Sequence, residues 1–423
     1  MARAFIVNFG CRLNSYEADA LGGDLEKRGI ILTSRVEEAD FIFINTCTVT
    51  SRADAKNRSI IRSLHEKNPR AKIIVTGCYA TTDGDELKNF PGVYQVIPNN
   101  QKANIPYLLW GEQSERTTDG LFGYGLPVKG RHSRAMVKIQ DGCSRSCSYC
   151  KIPLARGPGR SRSFHEIIDY TRKLIEAGYH EITITGVNIG WYRGNHGESF
   201  EDLIETLLEL EGDFYLRLSS LEPPEFSSRL CELFGHPRMA KFLHLPLQSG
   251  SKHILRLMRR TYNPDQYCRK VEAVRKKIPD IHVGTDIIVG FPSESEEDFA
   301  QTYTLCKELC FANIHIFPFS LRKNTPVEKM LQEKSVSLVP KQTIRQRIDK
   351  LRELSQKLKK EYQKKTAGLV YRGIVEKKGT SLHVTTENYV KLDVGLRNDI
   401  SPGEMVYVRY GERGDLLELK KAL

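Results

Sequence analysis

The chain has 423 residues, of which 27% are charged and 40% apolar, so it is long enough for two or three domains and has a globular composition. No apolar run approaches the roughly 20 residues that span a bilayer, and the region after Met1 lacks a signal-peptide pattern, so a cytoplasmic protein without a membrane partner is expected. The formal charge of +12 favours a polyanionic partner.

Residues 1–125 alternate strand-like and helix-like stretches. Strands are predicted at 4–8, 41–46 and 72–76, and helices at 15–28 and 52–65, which is one half of a doubly wound parallel sheet. A cysteine follows each strand, and we call Cys11, Cys47 and Cys78 the N-terminal triad. Because ligands bind beyond the carboxyl ends of parallel strands, the three thiols are expected to converge. Each one alone could instead be a small buried apolar residue.

Residues 126–364 form the predicted central domain, which follows a connector containing Gly123, Gly125, Pro127 and Gly130. Six strand-like runs begin near residues 136, 181, 214, 242, 282 and 313 and alternate with helical runs. This pattern predicts a partial (β/α)6 barrel, a fold class in which the chemistry takes place at the carboxyl ends of the strands.

The loop after the first barrel strand carries Cys143, Cys147 and Cys150 in a C-x3-C-x2-C spacing, and we call these residues the loop triad. Zinc is one candidate metal for this loop. Structural zinc sites normally have four N or S ligands, however, and after Cys150 only His165 lies nearby as a fourth ligand. An iron–sulfur cubane fits better, because cysteine thiolates are its usual ligands and three of them leave one iron open. Ten cysteines in a cytoplasmic protein also favour metal or redox chemistry over disulfides.

The loop triad resembles the cluster-binding motif of radical S-adenosylmethionine (SAM) enzymes. Together, the two triads resemble the methylthiotransferase family over essentially the whole chain. The runs GCRLNSYEADAL, NTCTVTSRADAKNRSIIR and VTGCYATT are most similar to the branch that acts on N6-threonylcarbamoyladenosine (t6A) in tRNA. The branches that act on N6-isopentenyladenosine in tRNA, or on an aspartate of a ribosomal protein, are alternatives.

This resemblance implies two [4Fe–4S] clusters and SAM as cofactors. The loop triad's cluster would generate a 5′-deoxyadenosyl radical, and the N-terminal triad's cluster would hold the sulfur that a second SAM methylates. The product would be 2-methylthio-t6A at position 37 of tRNA. General base catalysis does not insert sulfur at adenine C2, whose C–H is not acidic, whereas a radical can. The implied partners are tRNA, a flavodoxin- or ferredoxin-like electron donor and a sulfur donor.

Polar residues near the other barrel strand ends resemble the family's SAM- and substrate-facing segments. The candidates are Gly186, Asn188, Ser219, Glu222, Gln248 and Asp286. Each could instead be a satisfied polar group of a loop or of the core. No catalytic residue is predicted beyond the cluster ligands. Arg156, Arg160 and Arg162 are expected to contact phosphate or the SAM carboxylate, or to form a solvated charge run.

Other residues are predicted to have structural roles. His244 and His282 lack metal-ligand spacing and could be core histidines. Asn324 stands where the family usually has glycine, and the turn should survive because asparagine tolerates a positive φ. The remaining cysteines are expected to be packing residues, namely Cys231, Cys268, Cys306 and Cys310.

Residues 341–365 place apolar side chains at helical spacing and carry ten Lys or Arg against three Asp or Glu, which predicts an amphipathic helix with a basic face. Residues 365–423 change to five short strand-like runs, which predict a small β-barrel. The run TTENYVKLDV resembles the TRAM domain of tRNA-modifying enzymes, so RNA binding is expected. A two-cluster electron carrier that binds RNA is the alternative from another functional class.

Overall fold

The computed structural model describes residues 1–111, 121–126 and 132–422, so Pro127 and Gly130 of the predicted connector lie outside the described residues. The chain forms two compact units. The first comprises Met1–Arg131, Lys138–Arg162 and Ser320–Thr325, and the second comprises His132–Val137, Ser163–Phe319 and Pro326–Leu423. The domain boundaries expected at residues 125 and 364 stay a prediction. Within the described ranges, no helix is long and apolar enough to cross a lipid bilayer.

A parallel sheet forms the centre of the first unit. Its strands are β1 (Arg3–Asn8), β2 (Ile31–Leu32), β3 (Phe41–Thr46), β4 (Lys72–Gly77) and β5 (Val93–Ile97), in the order β2-β1-β3-β4-β5. The helices of this region are α1 (Arg12–Glu26), α2 (Ser51–Lys67), α3 (Cys78–Thr82), α4 (Gly84–Lys88) and α5 (Ile105–Trp110), with 3₁₀ turns at Val36–Glu38 and Asn99–Asn104. The predicted doubly wound sheet is confirmed.

Apolar residues on both faces of this sheet explain its arrangement. Ile42 and Ile44 of β3 pack with Ile61 of α2 on one face, whereas Phe43 packs with Leu21 of α1 on the other. Because successive side chains of a strand point to opposite faces, a strand covered by helices on both sides is apolar nearly throughout.

Residues 135–332 supply the elements of the central region. The strands are β6 (Ala135–Lys138), β7 (Gln140–Asp141), β8 (Arg160–Ser161), β9 (Glu181–Thr185), β10 (Tyr215–Leu218), β11 (Phe242–His244), β12 (His282–Val289) and β13 (Asn313–Pro318). The helices are α6 (Ile152–Arg156), α7 (Phe164–Glu176), α8 (Phe200–Leu208), α9 (Ser228–Leu233), α10 (Lys252–Leu257), α11 (Pro264–Lys277), α12 (Glu296–Glu308) and α13 (Pro326–Gln332), with 3₁₀ turns at Ile189–Trp191 and Pro223–Glu225.

Six of these strands form the partial barrel. They lie in two three-stranded sheets, with the orders β10-β9-β6 and β11-β12-β13. Parallel bridges from Leu216 to Met239 and from Ser220 to His244 connect β10 to the chain around β11. All six strands begin within one residue of their predicted positions, and the predicted (β/α)6 arrangement is confirmed.

The residues predicted to have structural roles behave differently from one another. His282 is a core histidine, since burial lowers its pKa to about 3 and its ring packs against Phe242 and Tyr389. Asn324 adopts a φ of 62°, as expected for the replacement of a turn glycine. Cys306 is buried in α12, but Cys310 lies beyond the end of that helix and is exposed, so its predicted packing role is wrong.

The second unit ends in a long helix and an antiparallel sheet. These elements are α14 (Lys341–Thr366), β14 (Val370–Lys378), β15 (Ser381–Thr386), β16 (Lys391–Gly395), β17 (Met405–Tyr410) and β18 (Leu416–Lys421), and the strand order is β16-β15-β14-β17-β18. The edge strands β16 and β18 contact each other, so the sheet curls around the stacked rings of Tyr371 and Tyr410. The five predicted strands are confirmed, and the TRAM assignment stays a prediction.

Candidate cluster and cofactor site

The N-terminal triad lies at the carboxyl edge of the sheet in the first unit. Cys11 follows β1, Cys47 follows β3, and Cys78 begins α3 directly after β4. These three strands are neighbours, so the thiols stand at adjacent strand ends. The strand order also reverses between β1 and β3, which is the point at which open parallel sheets bind ligands.

The three thiols influence one another electrostatically. Burial raises the pKa of Cys47 to about 11, and the sulfur atoms of Cys78 and Cys11 also act to raise it. Cys11 as a whole residue is exposed to solvent. Burial of its thiol nevertheless raises the pKa of this group, and Cys78 adds to the shift. These effects on Cys47 and Cys11 accompany the positions of the three thiols at adjacent strand ends. Metal ions that bind them displace the protons, and soft thiolates suit an iron–sulfur cluster.

Hydrogen bonds hold the loops of this triad together. The Asn14 side-chain amide donates to the carbonyl oxygens of Phe9 at 2.7 Å and Thr46 at 3.0 Å. Gly10 has a φ of 106°, and a Cβ atom at this position would lie only 2.9 Å from the Cβ of Cys47. The chain before Cys11 therefore passes directly against Cys47, and a larger residue than glycine would separate the two loops.

The loop triad lies between β7 and α6, also in the first unit. The pairing of β7 with β8 closes this loop at its base, and the Cys143 amide donates to the carbonyl oxygen of Gly157 at 3.0 Å. Gly142 has a φ of 73°, and a Cβ atom there would overlap the carbonyl oxygen of Pro158. Cys147 is buried, whereas Cys143 and Cys150 are half-buried. The loop thus presents three thiols from one tightly closed turn.

Arg156 is engaged by protein groups rather than by the expected phosphate or SAM carboxylate. Its guanidinium donates to Asp141 at 2.9 and 3.0 Å, to Glu17 at 2.9 Å and to the side-chain oxygen of Asn14 at 2.6 Å. The expectation for Arg156 is therefore wrong, because its charge is already paired inside the unit. Arg160 is exposed and Arg162 is buried.

The predicted SAM-facing residues lie in the second unit. Gly186 and Asn188 follow β9, and Ser219 follows β10 with its amide bonded to the Ile184 carbonyl oxygen at 3.0 Å, so these three share one pair of strand ends. The Ser219 hydroxyl is buried and has no hydrogen-bond partner among the described residues. A buried hydroxyl without a protein partner is costly, which suits a ligand at this place. Glu222 instead forms an ion pair with Arg260.

Gln248 and Asp286 form a second group of predicted contacts. The Gln248 amide donates to the Asp286 carbonyl oxygen at 2.8 Å, and Gln248 has a φ of 66°. The Asp286 carboxylate is hydrogen-bonded to His244 Nε2 at 3.0 Å. Ligand atoms of His244, Asp286 and His315 lie within 4.8 Å of one another. Since the first two already satisfy each other, we interpret this set as a polar cluster and not as a metal site.

A set of buried charges near the N-terminal triad was not predicted from the sequence. Glu17, Lys102, Lys138 and Asp141 join Arg156 in one network of ion pairs. Lys138 interrupts the apolar run AMVKI of a buried strand, and this was the one signal in the sequence. The other members carry no local signal because only the fold brings them together.

Two family models match the chain. Residues 3–98 match the model described as uncharacterized protein family UPF0004, and residues 137–306 match the radical SAM superfamily. Among solved structures, the radical SAM methyltransferase TsrM from Kitasatospora setae has a similar fold. Its TM-score is 0.58 at 15% identity, over 79% of this chain and 76% of that chain.

Curated relatives cover most of the chain. The threonylcarbamoyladenosine tRNA methylthiotransferase MtaB of Bacillus subtilis is 34% identical over 86% of this chain and 82% of its own length. The tRNA-2-methylthio-N(6)-dimethylallyladenosine synthase of Thermodesulfovibrio yellowstonii is 32% identical over 98% of both chains. The chain therefore belongs to the radical SAM tRNA methylthiotransferase family, an enzyme family that modifies tRNA with SAM and [4Fe–4S] clusters as cofactors.

Proposed function

We propose that this enzyme transfers a methylthio group to C2 of t6A at position 37 of tRNA. The supporting observation is the similarity to MtaB enzymes from Bacillus subtilis, Aquifex aeolicus and Thermotoga maritima, which are 33–35% identical over 86–90% of this chain. The residues around the N-terminal triad resemble the same branch.

The second candidate substrate is the N6-isopentenyl (dimethylallyl) form of the same adenosine. Relatives named for that substrate from Thermodesulfovibrio yellowstonii and Aquifex aeolicus are 32% and 33% identical to this chain. These identities overlap with those of the MtaB enzymes, so an experiment must choose between the two nucleosides.

We further assign the radical-generating cluster to the loop triad and an auxiliary cluster to the N-terminal triad. When bound, the two clusters supply the electron that cleaves SAM and an open iron for the transferred sulfur. The protein holds the two cysteine loops closed. The β7–β8 pair and the tight turn at Gly142 close the loop triad, and the hydrogen bonds of Asn14 to two carbonyl oxygens fix the loops of the N-terminal triad.

The assignment of SAM and substrate contacts follows the two groups of strand-end residues. Ser219 has a buried hydroxyl that needs a partner, and Gly186 and Asn188 lie beside it, so this group is the stronger candidate for SAM or nucleoside binding. Gln248 and Asp286 form the second candidate group. Glu222 would act by fixing Arg260, to which it is already paired.

The remaining partners follow from charge and chemistry. The basic face of α14 and the curled C-terminal sheet, which we propose is a TRAM-like domain, would hold the tRNA phosphates. A flavodoxin- or ferredoxin-like protein would supply electrons, and a separate sulfur donor would restore the transferred atom. The enzyme would act in the cytoplasm on tRNA.

Mass spectrometry of tRNA nucleosides from cells with and without this gene tests the substrate assignment. We expect 2-methylthio-t6A to disappear and t6A to accumulate in the deletion. Expression of the wild-type chain, or of the Cys310→Ala variant, which changes an exposed cysteine outside both triads, should restore the product. Loss of the 2-methylthio-isopentenyl nucleoside would favour the second candidate, and an unchanged nucleoside profile would contradict both.

A further inference from the structure

A network of five buried charges lies in the first unit. Its members are 0–5% exposed, namely Glu17, Lys102, Lys138, Asp141 and Arg156. Lys102 Nζ lies 2.5 Å from Glu17 Oε2, and Lys138 Nζ lies 2.9 Å from Glu17 Oε1 and 2.6 Å from Asp141 Oδ2. Buried charges are costly unless each is paired, so the sum of charges in such a network matters.

The network carries more positive than negative charge. Burial alone would raise the pKa of Glu17, but Arg156, Lys102 and Lys138 hold it well below its usual range, so this carboxylate is ionised. The Asp141 carboxylate is paired with Lys138 Nζ at 2.6 Å and with the Arg156 guanidinium at 2.9 Å. Burial lowers the pKa of Lys102, and the Glu17 carboxylate opposes that shift. Three cationic and two anionic side chains leave a formal surplus of one positive charge.

The surplus lies beside the N-terminal triad. Arg156 is hydrogen-bonded to Asn14 Oδ1 at 2.6 Å, and the same Asn14 side chain binds the carbonyl oxygens of Phe9 and Thr46. Phe9 lies two residues before Cys11, and Thr46 directly precedes Cys47. The Cys78 thiol also interacts electrostatically with the Arg156 guanidinium.

Two members of the network lie close in sequence to the loop triad. Asp141 lies two residues before Cys143, and Arg156 ends the short helix α6 that follows Cys150. The two carboxylates that bind Arg156 therefore come from the helix after Cys11 and from the strand before Cys143. One guanidinium ties both cysteine-bearing segments together within the first unit.

We propose that Arg156 is a positioning residue that supplies the counter-charge for the cluster held by the N-terminal triad, and that the net charge of this network sets the reduction potential of that cluster. The inference rests on the cluster assignment made under the proposed function. A cluster with three thiolates is anionic, and one-electron reduction makes it more negative. A buried cation nearby therefore stabilises the reduced form and raises the potential, because the low-polarity interior screens charge poorly.

The test varies the network charge in steps in the full-length holoenzyme. Glu17→Gln raises the formal surplus to two, Arg156→Met lowers it to zero, and the double variant Glu17→Gln/Arg156→Met restores it to one. Arg156→Lys keeps the charge and loses the forked hydrogen bonds. EPR-monitored titration measures the midpoint potential, and a variant with all three loop-triad cysteines changed to alanine identifies which signal belongs to the N-terminal cluster.

The expected order of midpoint potentials follows the charge. Glu17→Gln shifts the potential upward, Arg156→Met shifts it downward, and Arg156→Lys and the double variant both return it close to that of the wild type. A purely structural role predicts instead that the double variant is at least as perturbed as either single variant. That result, or a potential that Arg156→Met leaves unchanged, would overturn the proposal.

A second variant and an iron analysis complete the test. If Arg156→Met assembles no cluster, Lys102→Met, which removes another cation of the network and leaves Glu17 paired with Arg156 and Lys138, still tests the sign, and an upward or absent shift contradicts the proposal. Iron analysis of the wild type should find about eight iron atoms per chain, as two cubanes require. About four would overturn the cluster assignment and this inference with it. Since no tRNA is present, a wrong nucleoside assignment leaves these potentials unaffected.

Discussion

Cys11 differs from the other two thiols of the N-terminal triad because solvent reaches it, whereas Cys47 and Cys78 are buried. Its loop is fixed by Asn14 and by the close approach of Gly10 to Cys47. The loop triad has its own closure, through Gly142 and the contact of Cys143 with Gly157. Both segments share the Arg156 network, but each loop has its own closing contacts around the thiols, so the loss of one thiol should affect one cluster.

Replacement of Cys11 tests this separation. We expect Cys11→Ala to retain most reductive SAM cleavage and to reduce methylthiolation of tRNA to background, because two remaining thiols do not hold the auxiliary cluster. Formation of 5′-deoxyadenosine and of the methylthiolated nucleoside would be measured in the same reaction. Cys310→Ala is the matched control and should retain both activities. Loss of both activities in folded Cys11→Ala protein would contradict the assignment.

The two triads could be predicted because cysteine itself carries the signal. Cysteines directly after three strands, and three more in a short loop, point to metal chemistry before any contact is known. The buried charge network could not be predicted in this way. Glu17, Lys102 and Arg156 are ordinary charged residues far apart in the chain, and only tertiary packing places them together.

At the scale of elements, one side chain joins the barrel to the C-terminal sheet within the second unit. Arg217 of β10 donates to the carbonyl oxygens of Thr386 at 3.1 Å and Glu387 at 3.0 Å, and its Nε donates to Glu181 at 2.7 Å. Burial would raise the pKa of Glu181, but Arg217 and Arg134 lower it to about 2. The pair is therefore fully charged and fully buried at neutral pH.

Arg217→Met should destabilise the protein by about 3–5 kcal/mol, because it leaves the buried Glu181 carboxylate with one nearby cation and removes the Arg217 donor from the Glu387 carbonyl oxygen. Urea denaturation followed by circular dichroism would measure the change. Arg229→Met is the control, because Arg229 pairs with Asp202 and Glu205 on the surface, where solvent screens the charges. Equal effects of the two substitutions would contradict the role of Arg217.

Strands could be predicted from the sequence where the pattern of apolar residues was long enough. The six barrel strands and the five C-terminal strands were placed from the sequence. The short strands β2, β7 and β8 contain two residues each, too few to show a period. They are defined by their partners in the folded chain, and the closure of the loop triad depends on two of them.

At the scale of the whole molecule, both triads belong to the first packing unit although the chain between Cys78 and Cys143 is long. The radical SAM match therefore begins in a segment that partly packs with the N-terminal sheet. This arrangement fits an enzyme in which two clusters serve one reaction. The electron-carrier alternative is excluded by the relatives, which are methylthiotransferases that match nearly the whole chain.

We propose that this enzyme methylthiolates t6A in tRNA. A competition assay tests this substrate choice: the reconstituted protein, SAM and a reductant act on equal amounts of two tRNAs that carry t6A or N6-isopentenyladenosine at position 37. We predict that 2-methylthio-t6A forms at least about 100-fold faster, since a site that binds the polar threonylcarbamoyl group discriminates strongly against an apolar analogue. Equal rates, or faster modification of the isopentenyl substrate, would contradict the t6A assignment.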